Sequence, residues 1–95
     1  MTTRIALVTG GMGGLGEAIC IKLAQMGYRV VTTHSLGNTK APQWLAEMKA
    51  RGFDFAAYPA DVADFDSCKA CVEKIVQEVS PVDVLVNNAG ITRDN

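Results

Sequence analysis

Residues 5–16 read IALVTGGMGGLG, a short apolar run that passes directly into a glycine-rich turn. The run at 5–8 is wholly apolar, which is typical of a strand buried on both faces of a parallel sheet. Five of the seven residues at 10–16 are glycine, so the backbone there can turn tightly and approach a bound group closely. Apolar residues at helical spacing follow and predict a helix that ends at Gly27; they are Leu15, Ile19, Leu23 and Met26.

The rest of the chain alternates short apolar segments with amphipathic ones. Strands are predicted at 29–33, 53–58 and 82–86, with a loop at 34–40 and a helix over 42–51. A third helix is predicted to begin at Asp64 or Asp66 and to end before Pro81. Its expected apolar face consists of Cys68, Val72, Ile75 and Val79. The order βαβαβαβ predicts a parallel sheet with right-handed crossovers.

This order indicates the fold class: α/β, the N-terminal part of a Rossmann-like doubly wound parallel sheet. A complete dinucleotide-binding fold of this kind has about six strands. We therefore expect residues 1–95 to be the dinucleotide-binding half of a single Rossmann-fold domain, truncated after its fourth strand.

Composition excludes several classes of function. The chain is 48% hydrophobic with a net charge of −1, so no basic field exists to hold nucleic acid. No apolar run approaches the roughly 20 residues that span a membrane. Three cysteines are too few for a disulfide scaffold, which indicates a reducing, cytoplasmic compartment. We expect no nucleic-acid partner and no membrane partner.

The glycine turn has the context that a phosphate-binding site requires. It follows a strand and opens a helix, whose N-terminal N–H groups and positive dipole end favour a bound pyrophosphate. The glycines are spaced G-x-x-x-G-x-G rather than in the commoner G-x-G-x-x-G pattern. The predicted cofactor-binding residues of this turn are Gly10, Met12, Gly13, Gly14, Leu15 and Gly16.

Three motifs together resemble the short-chain dehydrogenase/reductase family. They are Thr9-Gly10-x-x-x-Gly14-x-Gly16, the pair Asp61-Val62, and Asn87-Asn88-Ala89-Gly90. The resemblance covers the whole chain and implies an oxidoreductase with a nicotinamide cofactor. The further cofactor-binding residues that it implies are Ala60, Asp61, Val62, Asn88, Ala89, Gly90 and Ile91, and the implied substrate-binding residue is Asp94.

The residues of two of these motifs suit such roles chemically. The carboxylate of Asp61 can accept a hydrogen bond from an adenine amino group, or it can simply cap a loop. The asparagine amides can satisfy the backbone of a loop. Ala89 and Gly90 are small enough for a ribose and a nicotinamide to lie against the backbone.

The residues after the second strand favour NADP over NAD. An NAD enzyme usually places an acid there, whereas no carboxylate occurs between Glu17 and Glu47. A 2′-phosphate would therefore meet no repulsion, and Ser35 and Lys40 are the predicted contacts. Lys40 as a solvated loop lysine is the alternative. Many NADP-dependent members of the family carry Arg or Lys where this sequence has Gly13.

We predict no catalytic residue and no metal ligand in this sequence. The catalytic Ser and Tyr-x-x-x-Lys of the family lie further along a full-length chain, and neither Tyr28 nor Tyr58 is followed by lysine four positions later. Cys68 and Cys71 form a C-x-x-C pair that we interpret as two small, half-buried side chains. A zinc site would need two more ligands at suitable spacing.

Within the family, two subgroups compete. Residues 11–13, 52–55 and 62–67 are similar to members that use NADPH to reduce acetoacetyl-CoA to (R)-3-hydroxybutyryl-CoA in polyhydroxybutyrate synthesis. The alternatives are a reductase of 3-oxoacyl groups on acyl carrier protein and a non-catalytic nucleotide-binding fragment. The resemblance implies an acyl-CoA thioester substrate and a homotetramer in the full-length protein.

Overall fold

The computed structural model describes residues 3–61 and 63–88. Seven elements follow one another in this part of the chain: β1 Ile5–Thr9, α1 Gly14–Gln25, β2 Arg29–His34, α2 Ala41–Ala50, β3 Ala56–Pro59, α3 Phe65–Glu78 and β4 Val84–Asn87. The predicted order βαβαβαβ and the α/β class are confirmed. None of these three helices is long and apolar enough to cross a membrane.

The four strands form one parallel sheet in the order β3-β2-β1-β4. β1 is central, so Ala6 pairs with Val30 on one side and with Val84 on the other. Successive strands add on one side of β1 up to β3, and β4 then returns to the other side. The carboxyl ends of β1 and β4 therefore border the point where the strand order reverses, which is where doubly wound sheets bind ligands.

Helices cover both faces of the sheet. Leu7 and Val31 point to the face that α3 covers with Cys71 and Ile75. Val8 and Val30 point to the opposite face, and the residues of α1, α2 and the segment before β3 that cover them there are Cys20, Trp44, Met48 and Phe55. Alternate residues of one strand are thus buried on opposite faces, which explains the wholly apolar run in β1.

The predicted apolar face of α1 is wrong at its two ends. Leu15 is 56% exposed and Met26 is 60% exposed, whereas Gly16 and Cys20 are the buried residues of this helix. Successive residues are about 100° apart around a helix axis, so α1 is rotated by about one residue from the predicted face. The physical reason is size: Gly16 and Cys20 allow the helix to approach the sheet more closely than Leu15 would.

The third strand is shorter than predicted. Phe53 and Phe55 precede β3 rather than belonging to it, and their rings stack at a centroid distance of 5.6 Å. Phe55 also stacks on Trp44 of α2 at 5.6 Å. The apolar character of this segment therefore comes from packing under α2 and not from strand pairing. His34, predicted in a loop, is the last residue of β2.

The ends of the last helix and strand are also set by specific contacts. Asp64 is the N-cap of α3, and its carboxylate accepts hydrogen bonds from the backbone N–H groups of Asp66 and Ser67. On the predicted apolar face Val72 is 39% exposed, because α3 packs through Cys71 and Ile75. β4 begins at Val84 rather than at residue 82, since the backbone and carboxylate of Asp83 hydrogen-bond to the backbone of Ile5.

The packing of α3 can be tested with two neighbouring aliphatic residues. Ile75 is fully buried, whereas Val76 is 40% exposed. We expect Ile75→Ala to lower the free energy of unfolding by about 2–5 kcal/mol, because it leaves a cavity under the sheet. Val76→Ala should cost less than about 1 kcal/mol. Urea denaturation of the complete protein that contains this chain measures both, and equal losses would contradict the described orientation of α3.

Candidate functional site

The second strand holds the glycine turn in place through buried hydroxyl groups. The Gly11 N–H donates a hydrogen bond of 2.8 Å to Oγ1 of Thr32, and that hydroxyl donates to the carbonyl of Val8, also at 2.8 Å. The Gly10 N–H donates to the carbonyl of Thr33 at 3.2 Å. Thr32 is fully buried. The sequence pattern assigned no role to Gly11 or Thr32 in the site, because a threonine in a β-branched strand is equally typical of ordinary strand packing.

The end of the fourth strand holds the same turn from the other side. Asn88 is 1% exposed, and its Nδ2 donates to the carbonyl of Gly10 at 3.1 Å. Its backbone N–H donates to Oγ1 of Thr9 at 2.9 Å. The predicted use of an asparagine amide to satisfy loop backbone is confirmed at Asn88. Its Oδ1 is buried and accepts no hydrogen bond from the described residues.

The glycines of the turn have two different functions. A Cβ on Gly11 would overlap Oγ1 of Thr32, and one on Gly16 would overlap the carbonyl of Gly10, so both are required for close packing. A Cβ on Gly13 or Gly14 would meet nothing within 4 Å. Gly10 and Gly14 have positive φ angles, 66° and 42°, which glycine adopts without strain.

The exposed side of the turn fits a pyrophosphate. Gly13 is the N-cap of α1, and no described side chain caps this helix. The first N–H groups of a helix have no partner within the helix, and the dipole there favours negative charge. With Gly13 and Gly14 bordering open space, the predicted cofactor turn offers backbone donors and no steric barrier.

A neutral thiol lies beneath the turn. The Cys20 thiol donates to the carbonyl of Gly11 at 3.8 Å, and the side chain is fully buried. Burial raises the pKa of Cys20 to about 12, with a further increase from Glu17 and an opposing effect of the hydrogen bond to Thr32. Cys20 therefore stays protonated near neutral pH and acts as packing under the turn.

A cleft of about 410 Å³ extends from the turn to the second helix, and the segment after β2 contributes Lys40 to it. Met12 and Gly13 line one side, while Trp44 and Glu47 line the other. The sequence separates Lys40 from any nearby acid, but α2 brings Glu47 into the same cleft. The absence of a carboxylate between residues 17 and 47 in sequence therefore does not make this cleft free of acids, and the contact of a 2′-phosphate with Lys40 stays a prediction.

The second helix is fixed to the first by a polar contact. Nε1 of Trp44 donates to Oε1 of Glu17 at 2.8 Å, and Arg51 lies 3.9 Å from the other oxygen of that carboxylate. Trp44 itself is only 7% exposed, so its ring anchors this helix in the core. The hydrogen bond joins two residues 27 positions apart, and no local pattern indicates it.

The remaining predicted cofactor residues in the described part of the chain make contacts within loops or within the core. Asp61 is exposed, and its carboxylate accepts from the Ala63 N–H at 3.0 Å, which is the loop-capping role. Ala60 is buried in the core beneath α3. Ser35 is exposed, and its carbonyl accepts from the Asn38 N–H. Cofactor contacts by these residues stay predictions.

Some predicted site residues lie outside the described part of the chain: Val62, Ala89, Gly90, Ile91 and Asp94.

The C-x-x-C pair does not form a metal site with other described residues. Cys68 is half-buried and Cys71 is buried, and both are free thiols. Burial raises the pKa of Cys71, and the neighbouring Cys68 raises it further. In residues 3–61 and 63–88, no three His, Cys, Asp or Glu side chains are grouped to hold a metal ion.

Comparison with known proteins identifies the family. The sequence pattern of the short chain dehydrogenase family matches residues 4–95. The chain belongs to this family. The glycine turn and the two asparagines of this family member lie at the reversal point of the sheet, whereas the loop of Asp61 follows the edge strand β3.

Curated members of the short-chain dehydrogenase family match nearly the whole chain. An acetoacetyl-CoA reductase of Cupriavidus necator is 55% identical over 94 residues, covering 99% of this chain and 38% of the relative. Nodulation protein G of Azospirillum brasilense is also 55% identical, over 95 residues, with the same coverage. A 3-oxoacyl-[acyl-carrier-protein] reductase of Staphylococcus aureus is 46% identical over 93 residues, covering 98% and 38%. The chain thus spans 38% of the length of these relatives.

Solved structures of short-chain dehydrogenases have the same fold. A 2-keto-3-deoxy-D-gluconate dehydrogenase from Streptococcus agalactiae superposes with a TM-score of 0.85 at 33% identity, covering 95% of this chain and 34% of that one. A variant of actinorhodin polyketide ketoreductase with NADPH superposes with a TM-score of 0.82 at 34% identity, covering 92% and 33%. The predicted Rossmann-like sheet is confirmed.

The two functions of the glycines in this short-chain dehydrogenase can be separated by substitution. Gly11→Ala should lower the free energy of unfolding by about 1–3 kcal/mol, because its methyl group would displace Thr32 and Cys20. Gly13→Ala should change it by less than about 0.5 kcal/mol, since the added methyl group meets open space and the backbone is extended there. Urea denaturation of the complete protein distinguishes them, and a larger loss for Gly13→Ala would contradict the described turn.

Proposed function

We propose that this chain is the cofactor-binding part of an NADPH-dependent reductase that converts acetoacetyl-CoA to (R)-3-hydroxybutyryl-CoA. The observation that carries the proposal is the glycine turn at the reversal point of the sheet, held by Thr32 and Asn88 with Gly13 and Gly14 open to solvent. This arrangement supports dinucleotide binding at the carboxyl ends of β1 and β4. The substrate is supported by similarity to two acetoacetyl-CoA reductases, at 55% and 49% identity.

The residues of this chain would bind and orient the cofactor. The N-terminus of α1 would face the pyrophosphate, and Lys40 would face a 2′-phosphate in the cleft beside Gly13. When bound, NADPH supplies the hydride that reduces the ketone. Asp61 near the adenine, and Ala89, Gly90 and Ile91 near the nicotinamide, complete the proposed site, with Asp94 on the substrate side. The catalytic serine, tyrosine and lysine would come from a part of the protein beyond residue 95.

The setting proposed for the enzyme follows from the same resemblance. All three cysteines in the described residues are free thiols, which supports a reducing, cytoplasmic location. A homotetramer is proposed from the resemblance alone.

A reductase of 3-oxoacyl groups on acyl carrier protein is the second candidate, supported by the 46% identity to the Staphylococcus aureus enzyme.

The substrate is tested with the complete protein, NADPH and two thioesters. We expect a higher kcat/KM for acetoacetyl-CoA than for acetoacetyl-acyl carrier protein, measured by NADPH absorbance. The 95-residue chain alone serves as the inactive control, because neither Tyr28 nor Tyr58 begins a Tyr-x-x-x-Lys sequence. A preference for the carrier-protein thioester would favour the second candidate, and reduction of neither would overturn both.

The cofactor is tested by replacing Lys40. We expect Lys40→Ala to weaken NADPH binding by about tenfold and to leave NADH binding nearly unchanged, since only the 2′-phosphate is lost as a partner of the charge. The loss should shrink at high salt. The matched control is Lys49→Ala, because Lys49 is an exposed lysine of α2 outside the cleft. Isothermal titration of both nucleotides provides the dissociation constants, and equal losses for NADPH and NADH would remove Lys40 from the site.

A further inference from the structure

The cleft beside the glycine turn carries charges of both signs. Lys40 and Glu47 both line it, together with Met12, Gly13 and the ring of Trp44. The formal charges of the two ionisable lining residues therefore cancel. A site that selects a 2′-phosphate by charge alone would have a positive lining, so this mixed lining needs an explanation.

Helical periodicity places Glu47 in the cleft. Lys40 is the N-cap of α2, and residues 43, 44 and 47 follow it at spacings that put all four on one side of a helix. Three of them face the same cleft as Lys40 does: Gln43, Trp44 and Glu47. Glu47, seven positions after Lys40, thus lies on the same side of α2 about two helical turns, or roughly 10 Å, further along.

The two charges do not neutralise each other by direct contact. Within residues 3–61 and 63–88, the ion pair that forms is Arg51 with Glu17. Both Lys40 and Glu47 are exposed, and the Glu47 carboxylate accepts a weak hydrogen bond of 3.4 Å from Nε2 of Gln43. An anion that enters the cleft is therefore attracted by Lys40 and repelled by Glu47.

The helix that carries Glu47 is held in position. Trp44, one turn before Glu47, is buried, donates to Glu17 of α1 at 2.8 Å and stacks on Phe55 at 5.6 Å. These contacts fix the start of α2 against α1 and against the segment before β3. Glu47 can change its rotamer, but the helix cannot carry it away from the cleft without breaking this hydrogen bond and this stack.

We infer that Glu47 is a specificity-determining residue that opposes the 2′-phosphate and so limits the preference for NADPH over NADH. A phosphate monoester carries between about 1.5 and 2 negative charges near neutral pH, all of which the carboxylate repels. The 2′-hydroxyl of NADH carries no charge and can donate a hydrogen bond to a carboxylate. This inference rests on the proposed cofactor site and specifies which two residues set its selectivity in opposite directions.

The test is the affinity of the complete protein for each nucleotide. Glu47→Gln removes the charge, keeps the size and still offers an oxygen to Gln43. We expect it to tighten NADPH binding by about three- to tenfold at low salt, with a smaller gain at high salt, because the repulsion acts through water and is screened. NADH binding should change less than about twofold, because its 2′-hydroxyl carries no charge and can still donate a hydrogen bond to the amide oxygen of the variant. Isothermal titration measures both dissociation constants without any catalytic turnover.

A matched substitution controls for the overall change in protein charge. Glu73→Gln alters the same net charge at an exposed position of α3, on the opposite face of the sheet. It should leave the ratio of the two dissociation constants unchanged. If Glu47→Gln changes that ratio no more than Glu73→Gln does, the assignment of Glu47 is overturned while the cofactor site stands. If the unaltered protein binds neither nucleotide, the proposed function itself is overturned.

Discussion

The backbone contact between Gly16 and the carbonyl of Gly10 controls the arrangement of the whole site. A Cβ at Gly16 would overlap that carbonyl and would lie 2.9 Å from Nδ2 of Asn88. Since no side chain intervenes, α1 begins directly against the ends of β1 and β4. The amide of Asn88 reaches the same Gly10 carbonyl from β4. Because Gly16 has no side chain, the N-terminus of α1 lies against the glycine turn, and this turn hydrogen-bonds to Asn88 at the end of β4.

The same close packing explains why the rest of the turn remains open. Gly11 faces inward against Thr32 and Cys20, and Gly16 faces inward against Gly10, so the inner side of the turn is filled. Gly13 and Gly14 face outward into space, and no described side chain caps the helix that starts there. The unused N–H groups of the helix end are therefore presented to solvent. Hydrogen bonds from strands on both sides hold them in place, which spares a bound anion the entropy cost of ordering the loop.

How far local patterns predict this structure depends on what each residue contacts. The strands β1 and β2 were predictable, because their buried residues are contiguous, wholly apolar in β1 and β-branched in β2. The preference of short carboxylates for helix starts predicted an N-cap at Asp64 or Asp66, and the structure shows Asp64. The face of α1 was predicted wrongly, because its contact with the sheet uses a glycine and a cysteine while Leu15 is exposed. The local pattern wrongly predicts Phe53 and Phe55 as strand residues, because aromatic packing under a helix produces the same pattern as a buried strand.

The sequence by itself determined the order of elements, the parallel sheet and the glycine turn at its first strand end. These properties follow from periodicity and from turn chemistry, both of which act over a few neighbouring residues. Only the tertiary structure decided that Thr32 holds the turn, that the loop satisfied by the Asn88 amide is this turn, and that Glu47 shares a cleft with Lys40. These contacts depend on the register of neighbouring strands and on the hydrogen bond between Trp44 and Glu17, which joins residues 27 positions apart. Contacts between residues so far apart in sequence produce no periodic pattern, because each residue fits its own helix or strand equally well without its partner.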